Sequence, residues 1–378
     1  MTLAGISTFA LMNCVQPLMP LFTDSFAISP AQASLSLSIN IAVLALFMPF
    51  ASLVSERWGR KPVLVCSLIA SGLICVASAT ASNWDVFLAY RALQGAAFSG
   101  VPAIAMAYIA EEIAPSDAGY AAGVYVSGAA LGGMAGRVIA GFIADAWGWH
   151  VSLVAIGVLG VVSAALFSYL LPRSRHFTAQ ATGWRPLLAS YRQHAGNRAL
   201  QRAYLTAFLM MGCLVMVYNF LGFRLAGAPF NLSPSFAGAL FTTYLAGIYA
   251  STRAGKLADR YGPKAVSRWS LGICAAGGVL MIAPYLPLVI VGLVLFTVGY
   301  FAVHSVANGS VSRTVRTGKS QASTLYFIAF YVGGALLGWL GGVAWAHLAW
   351  GGVTALLLAA IGMTYAGGLA NQPATGKA

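Results

Sequence analysis

Charged residues are scarce in this sequence. Only 8% of its 378 residues are Asp, Glu, Lys or Arg, whereas 59% are hydrophobic. Soluble globular proteins carry about 25% charged residues, because a folded domain needs a polar surface toward water. The shortage of charge therefore excludes a soluble globular domain and indicates a surface that faces lipid.

The sequence also lacks the alternation of apolar and polar residues that is typical of barrel strands. Its apolar stretches run for about 20 residues each, which is the length that crosses a bilayer as an α-helix. Because backbone groups in lipid must be paired within the protein, we predict an all-α membrane protein with twelve transmembrane helices. The predicted spans are residues 3–23, 31–54, 62–81, 84–110, 119–143, 150–171, 199–223, 233–254, 264–283, 287–310, 320–344 and 349–369.

Acidic residues are the rarest charged type. There are eight, against 21 Lys and Arg, and none lies near the middle of a predicted span. The basic residues concentrate in the gaps after spans 2, 4, 6, 8 and 10, which is the positive-inside pattern. The pattern predicts that these gaps and both termini are cytoplasmic, and it argues against nucleic acid as a partner.

Several kinds of site have no counterpart in the sequence. The five cysteines lie in apolar stretches, and their odd number argues against a disulfide framework. There is no cluster of metal-ligating residues, no nucleophile constellation and no Gly-x-x-x-x-Gly-Lys-Ser/Thr phosphate loop. We therefore expect a protein that is not an enzyme, has no cofactor and does not use ATP itself.

Two pairs of segments recur at a nearly constant spacing. Residues 56–61 match residues 259–264, 203 positions later, and residues 125–132 match residues 331–338, 206 positions later. Internal duplication is typical of secondary transporters, which bind their substrate near the midplane between the repeats. The sequence therefore predicts an N-terminal six-helix bundle over 1–172, a cytoplasmic linker loop over 173–198 and a C-terminal six-helix bundle over 199–378.

The repeated loops resemble the signature Gly-x-x-x-Asp-Arg-x-Gly-Arg-Arg/Lys of the major facilitator superfamily. The second copy, Gly255 to Lys264, fits closely, whereas the first has Ser52 and Glu56 in place of Gly and Asp. The helix-4 signature Arg-x-x-Gln-Gly is present from Arg91 to Gly95, and a glycine-rich run in span 5 matches the antiporter signature in part. Within the family, the chain is similar to bacterial twelve-helix drug and sugar efflux antiporters.

This resemblance implies an inner-membrane transporter that works by alternating access. From it we expect proton-coupled efflux of a small organic compound, which is drug-like as in multidrug efflux, a sugar or a metabolite, by a monomer in contact with membrane lipids. An uptake symporter or facilitator of the same fold stays open as an alternative. A non-transporting membrane sensor would need a soluble output domain, for which the longest gap, 172–198, offers little room.

The resemblance also implies a conformational switch. In the family, the loop acid locks the outward-facing state by pairing with a loop arginine and with an acid at the end of helix 4. The matching group in this chain is Glu56 and Arg60 with Glu112 or Glu111, and charges that only fix topology are the alternative. The candidate switch residues are Glu56, Arg57, Gly59, Arg60, Glu112, Asp259, Arg260 and Gly262.

Polar residues within the apolar spans are the candidates for the transport pathway. A lipid-facing arginine costs at least about 2.5–3.5 kcal/mol, so Arg91 and Arg137 should face a cavity or a partner. A structural tie to backbone carbonyls or to Asp24 is the alternative for Arg91, and pairing with an outer acid is the alternative for Arg137. His304 is either a hydrogen-bonded core residue or a proton carrier. The family lines its cavity with spans 1, 4, 7 and 10, so the candidates are Arg91, Gln94, His304, Asn308, Tyr300, Asn13, Gln16, Tyr218, Asn219, Arg137 and Asp24.

Glycines form two stripes at intervals of four residues. Such stripes permit close approach of helix backbones, so we predict tight packing that also allows the helices to slide or rock. The stripes are Gly128, Gly132 and Gly136 in span 5, and Gly334, Gly338 and Gly342 in span 11.

Overall fold

The computed structural model describes residues 1–172, 174, 184–315 and 319–369. All regular secondary structure in these ranges is helical, which confirms the all-α prediction. The α-helices are α1 (Thr2–Asn13), α2 (Met19–Phe26), α3 (Pro30–Trp58), α4 (Arg60–Ser78), α5 (Trp84–Phe98), α6 (Val101–Glu112), α7 (Pro115–Leu170), α8 (Trp184–Ala195), α9 (Arg198–Ala226), α10 (Pro234–Ala239), α11 (Tyr244–Tyr261), α12 (Pro263–Leu280), α13 (Leu286–Thr314) and α14 (Lys319–Met363). Short 3-10 turns cover Gln16–Leu18 and Leu240–Thr243, and a π-helical segment covers Thr364–Leu369.

Seven of the described helical stretches are long and apolar enough to cross a membrane. Two of them, Gly123–Leu170 and Gln321–Gly367, contain 48 and 47 residues. Non-helical backbone interrupts α7 at Gly148 and α14 at Leu348–Ala349. Each of these helices is more than twice as long as the roughly 30 Å hydrocarbon core, so each accounts for two of the predicted spans. The total of twelve crossings stays a prediction.

The linker predicted between the two halves is not a loop over its whole length. Residues 173 and 175–183 lie outside the described part of the chain, but α8 occupies residues 184–195 of this linker. Its sequence is rich in Leu, Ala, Arg and Gln, which all favour helix. The prediction of a loop is therefore corrected for these residues.

Contacts divide the chain into two compact units. Unit 1 comprises Met1–Gly183 with Asn231–Phe241, and unit 2 comprises Trp184–Phe230 with Thr242–Ala378. The short segment 231–241 groups with unit 1 because α10 lies against α7, where a Cβ added at Gly141 would come within 2.7 Å of the Pro234 carbonyl oxygen. The boundaries predicted from the sequence differ from this division and stay a prediction.

In unit 1 the glycine stripe of α7 packs directly on the backbone of α1. A Cβ added at Gly128, Gly132 or Gly136 would lie 2.7, 2.2 or 2.5 Å from backbone atoms of Thr2, Ile6 or Ala10. Both sets of residues recur every four positions, so the two helices approach each other along two full turns. These three glycines therefore lie on the α1 backbone, and sliding or rocking of the two helices along this contact stays a prediction.

In unit 2 the close approach is displaced by one residue from the predicted stripe. The predicted glycines of α14, Gly334, Gly338 and Gly342, are buried, but the glycines that contact α9 are Gly333 and Gly341. A Cβ added at Gly333 would lie 2.0 Å from the Phe208 carbonyl oxygen. Helix α9 is buried without interruption from Leu209 to Leu221, which suits a helix that is apolar on every side.

We expect Gly132→Ala to destabilise the protein and Gly123→Ala on the same helix not to. The added methyl group at Gly132 meets the backbone of Ile6, whereas nothing lies within 4 Å of a Cβ at Gly123. Overpacking of this kind costs about 1–3 kcal/mol, and it lowers the thermal unfolding midpoint of the purified protein. Equal midpoints for the two variants would contradict the close α1–α7 contact.

Candidate functional site

Arg91 lies in the interior of unit 1 with only 1% of its surface exposed. Its guanidinium donates to the carbonyl oxygens of Ser36 and Met12, each at 2.8 Å, and to Oε1 of Gln94. Backbone carbonyls are good partners for a buried arginine, because they satisfy its donors without a second charge. Asp24, the other partner that the sequence left open, lies exposed in the last turn of α2.

The neighbours of Arg91 extend this network to a fourth helix. The Gln94 side-chain amide donates to the Ser71 carbonyl oxygen at 3.0 Å, and the Asn40 amide donates to the Arg91 carbonyl oxygen at 3.0 Å. Arg91 and Gln94 therefore join α5 to α1, α3 and α4. This geometry fits the structural tie to carbonyls, and contact between Arg91 and a substrate stays a prediction.

A second buried arginine brings three of the predicted residues together. Nη2 of Arg137 donates to Oδ1 of Asn13 at 2.8 Å, its Nε donates to Oε1 of Gln16, and its Nη1 donates to the Gly133 carbonyl oxygen at 2.8 Å. The ring of Phe241 lies 4.5 Å from the guanidinium carbon. All of these contacts lie within unit 1. They place a positive charge among neutral polar groups and one aromatic face.

The eight acids of the chain all lie near helix ends or helix breaks. Two are close to a break or an end that the sequence alone did not define: Asp145 precedes the break at Gly148 and accepts a hydrogen bond from Ser235, and Asp117 lies in the first turn of α7. The others are Asp24, Glu56, Asp85, Glu111, Glu112 and Asp259, in the first or last turns of their helices. The charges inside the apolar helices are therefore cationic.

His304 is the centre of an aromatic cluster in unit 2. Its Nδ1 lies 3.0 Å from the Tyr326 hydroxyl, and its ring is parallel to that of Tyr300, with 5.9 Å between centroids. Phe330 closes another side at 4.9 Å. Tyr300 and His304 share the polar stripe that the sequence predicted on this helix, and Asn308 follows one turn later, half-buried. This geometry is compatible with both roles that the sequence left open for His304, a hydrogen-bonded core residue or a proton carrier, and the second stays a prediction.

Tyr218 lies in a separate hydroxyl network of unit 2. Its hydroxyl lies 2.7 Å from the Thr243 hydroxyl and 2.8 Å from that of Thr297, which also donates to the Leu293 carbonyl oxygen. Asn219 follows it on α9 and is fully buried. The network joins helix α9 to α13. Convergence of spans 1, 4, 7 and 10 on one site stays a prediction.

The first signature loop contains an ion pair. Arg60 donates from Nη2 to Oε1 of Glu111 at 2.6 Å, and its Nε lies 3.1 and 3.2 Å from the two oxygens of that carboxylate. Its Nη1 donates to the Ser55 hydroxyl at 2.6 Å, while Oε2 of Glu56 is buried with no hydrogen-bond partner among the described residues. Of the two acids that the sequence offered, Glu111 accepts hydrogen bonds from Arg60 through both carboxylate oxygens.

The two signature loops share a bend but differ in charge pairing. Gly59 and Gly262 have φ values of +91° and +86°, a backbone region that favours glycine, and each lies between two helices as predicted. The position equivalent to Arg60 in the second loop is Pro263, so that loop cannot form the same ion pair. Asp259 and Arg260 are exposed there, and Arg57 is exposed in the first loop.

We expect the ion pair to couple Arg60 to Glu111 more strongly than to Glu56. In double-mutant cycles on thermal unfolding, Arg60→Gln with Glu111→Gln should give a coupling energy of about 1–3 kcal/mol, because the hydrogen bonds between the two side chains are charge-assisted. The matched cycle with Glu56→Gln should give a smaller value. A larger coupling to Glu56 would contradict this expectation and would identify Glu56, the acid at the position that the family signature specifies, as the main partner of Arg60.

Several partners in these clusters did not follow from the sequence. Tyr326, Thr297, Ser55 and Asn40 all make hydrogen bonds to predicted residues. Tyr326 had one signal, since it begins an aromatic run of span 11 that includes Phe327, Phe330 and Tyr331. Ser and Thr in apolar helices carry no comparable signal, because most of them bond to the preceding turn of their own helix.

Several relatives match nearly the whole chain, and YybF and YnfM are two of them. YybF of Bacillus subtilis, an uncharacterized MFS-type transporter, is 38% identical over 94% of this chain and 88% of its own length. YnfM of Escherichia coli, an inner membrane transport protein, is also 38% identical, over 94% of this chain and 85% of its own. Over 42% of this chain and 41% of its own length, the multi-drug resistance efflux pump PmrA of Streptococcus pneumoniae is 30% identical.

The fold agrees with these relatives. A solved structure of a bacterial homolog of the human lysosomal transporter Spinster, inward-facing and occupied, superimposes with a TM-score of 0.77. The match covers 97% of this chain and 93% of that one at 14% identity, so it bears on the fold alone. The sequence profile of the Major Facilitator Superfamily matches residues 1–338. The chain therefore belongs to the Major Facilitator Superfamily.

Proposed function

We propose that this transporter exports a small neutral or anionic organic compound across the inner membrane in exchange for protons. The observation that carries this proposal is the distribution of charge inside the helices. Arg91 and Arg137 are buried, His304 is half-buried, and all eight acids lie near helix ends or breaks. An organic cation would find no carboxylate at the depth of these arginines, whereas an anion or a hydrogen-bonding neutral compound would be attracted.

The polar clusters suit an amphipathic substrate. Arg137, Asn13 and Gln16 supply donors and acceptors beside the Phe241 ring in unit 1. Binding sites for organic compounds combine apolar walls with a few fixed polar groups. We assign contact with the substrate to the Arg137 cluster in preference to Arg91. Two of the three hydrogen-bond partners of Arg137 are side chains, which can change rotamer, whereas two of the three partners of Arg91 are helix carbonyls.

Direction and location rest on relatives. YnfM supports the inner membrane, and the partial match to PmrA supports export. Proton coupling rests on His304, which lies in the C-terminal half of α13 and whose imidazole contacts the Tyr326 hydroxyl of α14. The Arg60–Glu111 ion pair takes the role of the conformational switch, and Glu111 is one of the two acids that the sequence left open for it.

The substrate class is tested with purified full-length protein in liposomes that enclose a pH-sensitive dye. Matched aromatic compounds that differ only in carrying a carboxylate, an amide or an amine are added in turn, and proton movement is recorded. We expect carboxylates or amides to move protons and amines not to. A response confined to the amines would contradict the proposal.

A further inference from the structure

A recess of about 400 Å³ lies on the surface of α11 near the second signature loop. It is lined by Tyr249, Arg253, Lys256, Leu257 and Arg260, which recur at helical spacing and form one stripe along the helix. These five side chains, named here the α11 recess, bring three cations together. The guanidinium carbon of Arg253 lies 5.2 Å from the Tyr249 ring, which holds that cation beside an aromatic face.

The internal repeat shows that topology does not require these cations. The first half carries the same loop after α3, and its residues 203 positions earlier are Leu46, Phe50, Leu53, Val54 and Arg57. Leu46 and Phe50 are 64% and 49% exposed, so this face of α3 is also open, but it is apolar down to Arg57. Of these five positions in the first half, Arg57 is the only one that carries a cation, and the rest of that loop contributes Arg60 and Lys61. Arg253 and Lys256 are therefore additions that belong to the second half only.

The depth of these cations favours a ligand that comes from the membrane. Arg253 lies about two turns before the end of α11 at Tyr261, so it enters the region where an uncompensated charge is costly. Farther from the loop the same face continues with Leu245 and Tyr249, which are 51% and 62% exposed. A phospholipid lying along this face would place its headgroup against the cations near the loop and its acyl chains against the apolar side chains farther along the helix. A free anion would make no use of the apolar part.

We propose that the α11 recess binds the phosphate of an anionic phospholipid. Arginine and lysine clusters at this level of a membrane helix attract acidic headgroups, and the fork of an arginine fits two phosphate oxygens. Asp259 lies beside the stripe and is not among the lining residues, so it leaves the recess cationic. The site is independent of the transported substrate and would add lipid recognition to the second half alone.

The test is native mass spectrometry of the full-length protein in detergent, titrated with phosphatidylglycerol or phosphatidylethanolamine. Arg253→Gln with Lys256→Gln should weaken phosphatidylglycerol binding about 10- to 30-fold, since each cation contributes to attraction at the membrane surface. The control removes two exposed cations elsewhere, Arg192→Gln with Arg198→Gln, and should bind as the parent does. Equal weakening in both double variants, or none in the first, would overturn the proposal.

A second measurement needs no variant. Phosphatidylglycerol with a photoactivatable acyl chain should cross-link the unmodified protein at the peptide that contains Tyr249 and Leu257, and the phosphatidylethanolamine analogue should not. Inorganic phosphate in excess should leave the cross-link in place. Loss of the cross-link to inorganic phosphate would assign the recess to a soluble anion, and absence of a cross-link on α11 would remove the site.

Discussion

Replacing His304 with glutamine is expected to abolish accumulation driven by a pH gradient while leaving substrate exchange intact. The imidazole lies 3.0 Å from the Tyr326 hydroxyl and stacks on Tyr300. Gain or loss of a proton there therefore changes its interactions with both aromatic residues. Glutamine can keep a hydrogen bond to Tyr326 but does not titrate. The variant should therefore fold and bind, and lose only the coupling.

The size of this effect follows from the driving force. With the membrane potential clamped at zero, a gradient of one pH unit supplies about 1.4 kcal/mol per exchanged proton, which gives about tenfold accumulation at one-to-one exchange. His304→Gln should reduce that ratio to one, measured with radiolabelled substrate in liposomes. His347→Gln is the control, because His347 is exposed near the break in α14. Full accumulation by His304→Gln would remove this residue from the proton pathway.

Replacing Arg91 with alanine is expected to reduce the amount of folded protein strongly. The molecules that do fold should lose less of their transport activity. The substitution leaves the Ser36 and Met12 carbonyl oxygens and Oε1 of Gln94 without this donor. A hydrogen bond to a charged group contributes about 1.5–3 kcal/mol, and this substitution removes three of them, so we expect a large fall in thermal midpoint and in yield. Arg91→Lys should be intermediate, because one ammonium cannot reach all three acceptors in the geometry of a guanidinium.

The measurement pairs thermal unfolding with substrate exchange per folded molecule. Arg137→Ala is the comparison, since Arg137 is also buried but bonds to the side chains of Asn13 and Gln16. We expect Arg137→Ala to lose exchange, and the folded fraction of Arg91→Ala to keep it. An Arg91→Ala protein that melts like the parent and fails to exchange would return Arg91 to the substrate pathway.

The sequence was sufficient for the fold because apolar length and charge placement are properties of single helices. It also contained the glycines that pack α7 on α1, since three glycines at intervals of four residues need no knowledge of their partner. That contact then determines which polar groups meet. With Gly136 against Ala10, the next residue, Arg137, reaches Asn13 one turn farther along α1. The sequence identified Asn13, Gln16 and Arg137 separately as candidates. Their contact with one another depends on the register between α1 and α7, which the sequence does not show.

Other parts of the site could not be predicted for different physical reasons. The family signature gives an acid at the end of helix 4, but Glu111 and Glu112 are adjacent and point about 100° apart on a helix. Only the orientation of α6 decides that Glu111 holds Arg60 with two oxygens. Likewise, the charge of Arg91 is costly anywhere in a membrane, and this cost alone does not distinguish a structural tie to carbonyls from contact with a substrate. Only the hydrogen-bond partners of Arg91 in the structure distinguish the two.

The central claim is exchange of a small organic compound for protons, and the direction of accumulation tests it most directly. Liposomes containing the purified protein are prepared with an interior either more acidic or more alkaline than the medium, with the membrane potential clamped and labelled substrate outside. Because exchange moves the compound against the proton flow, we expect accumulation only in vesicles with an acidic interior, whichever way the protein is inserted. Accumulation in vesicles with an alkaline interior would contradict the account and identify an uptake symporter.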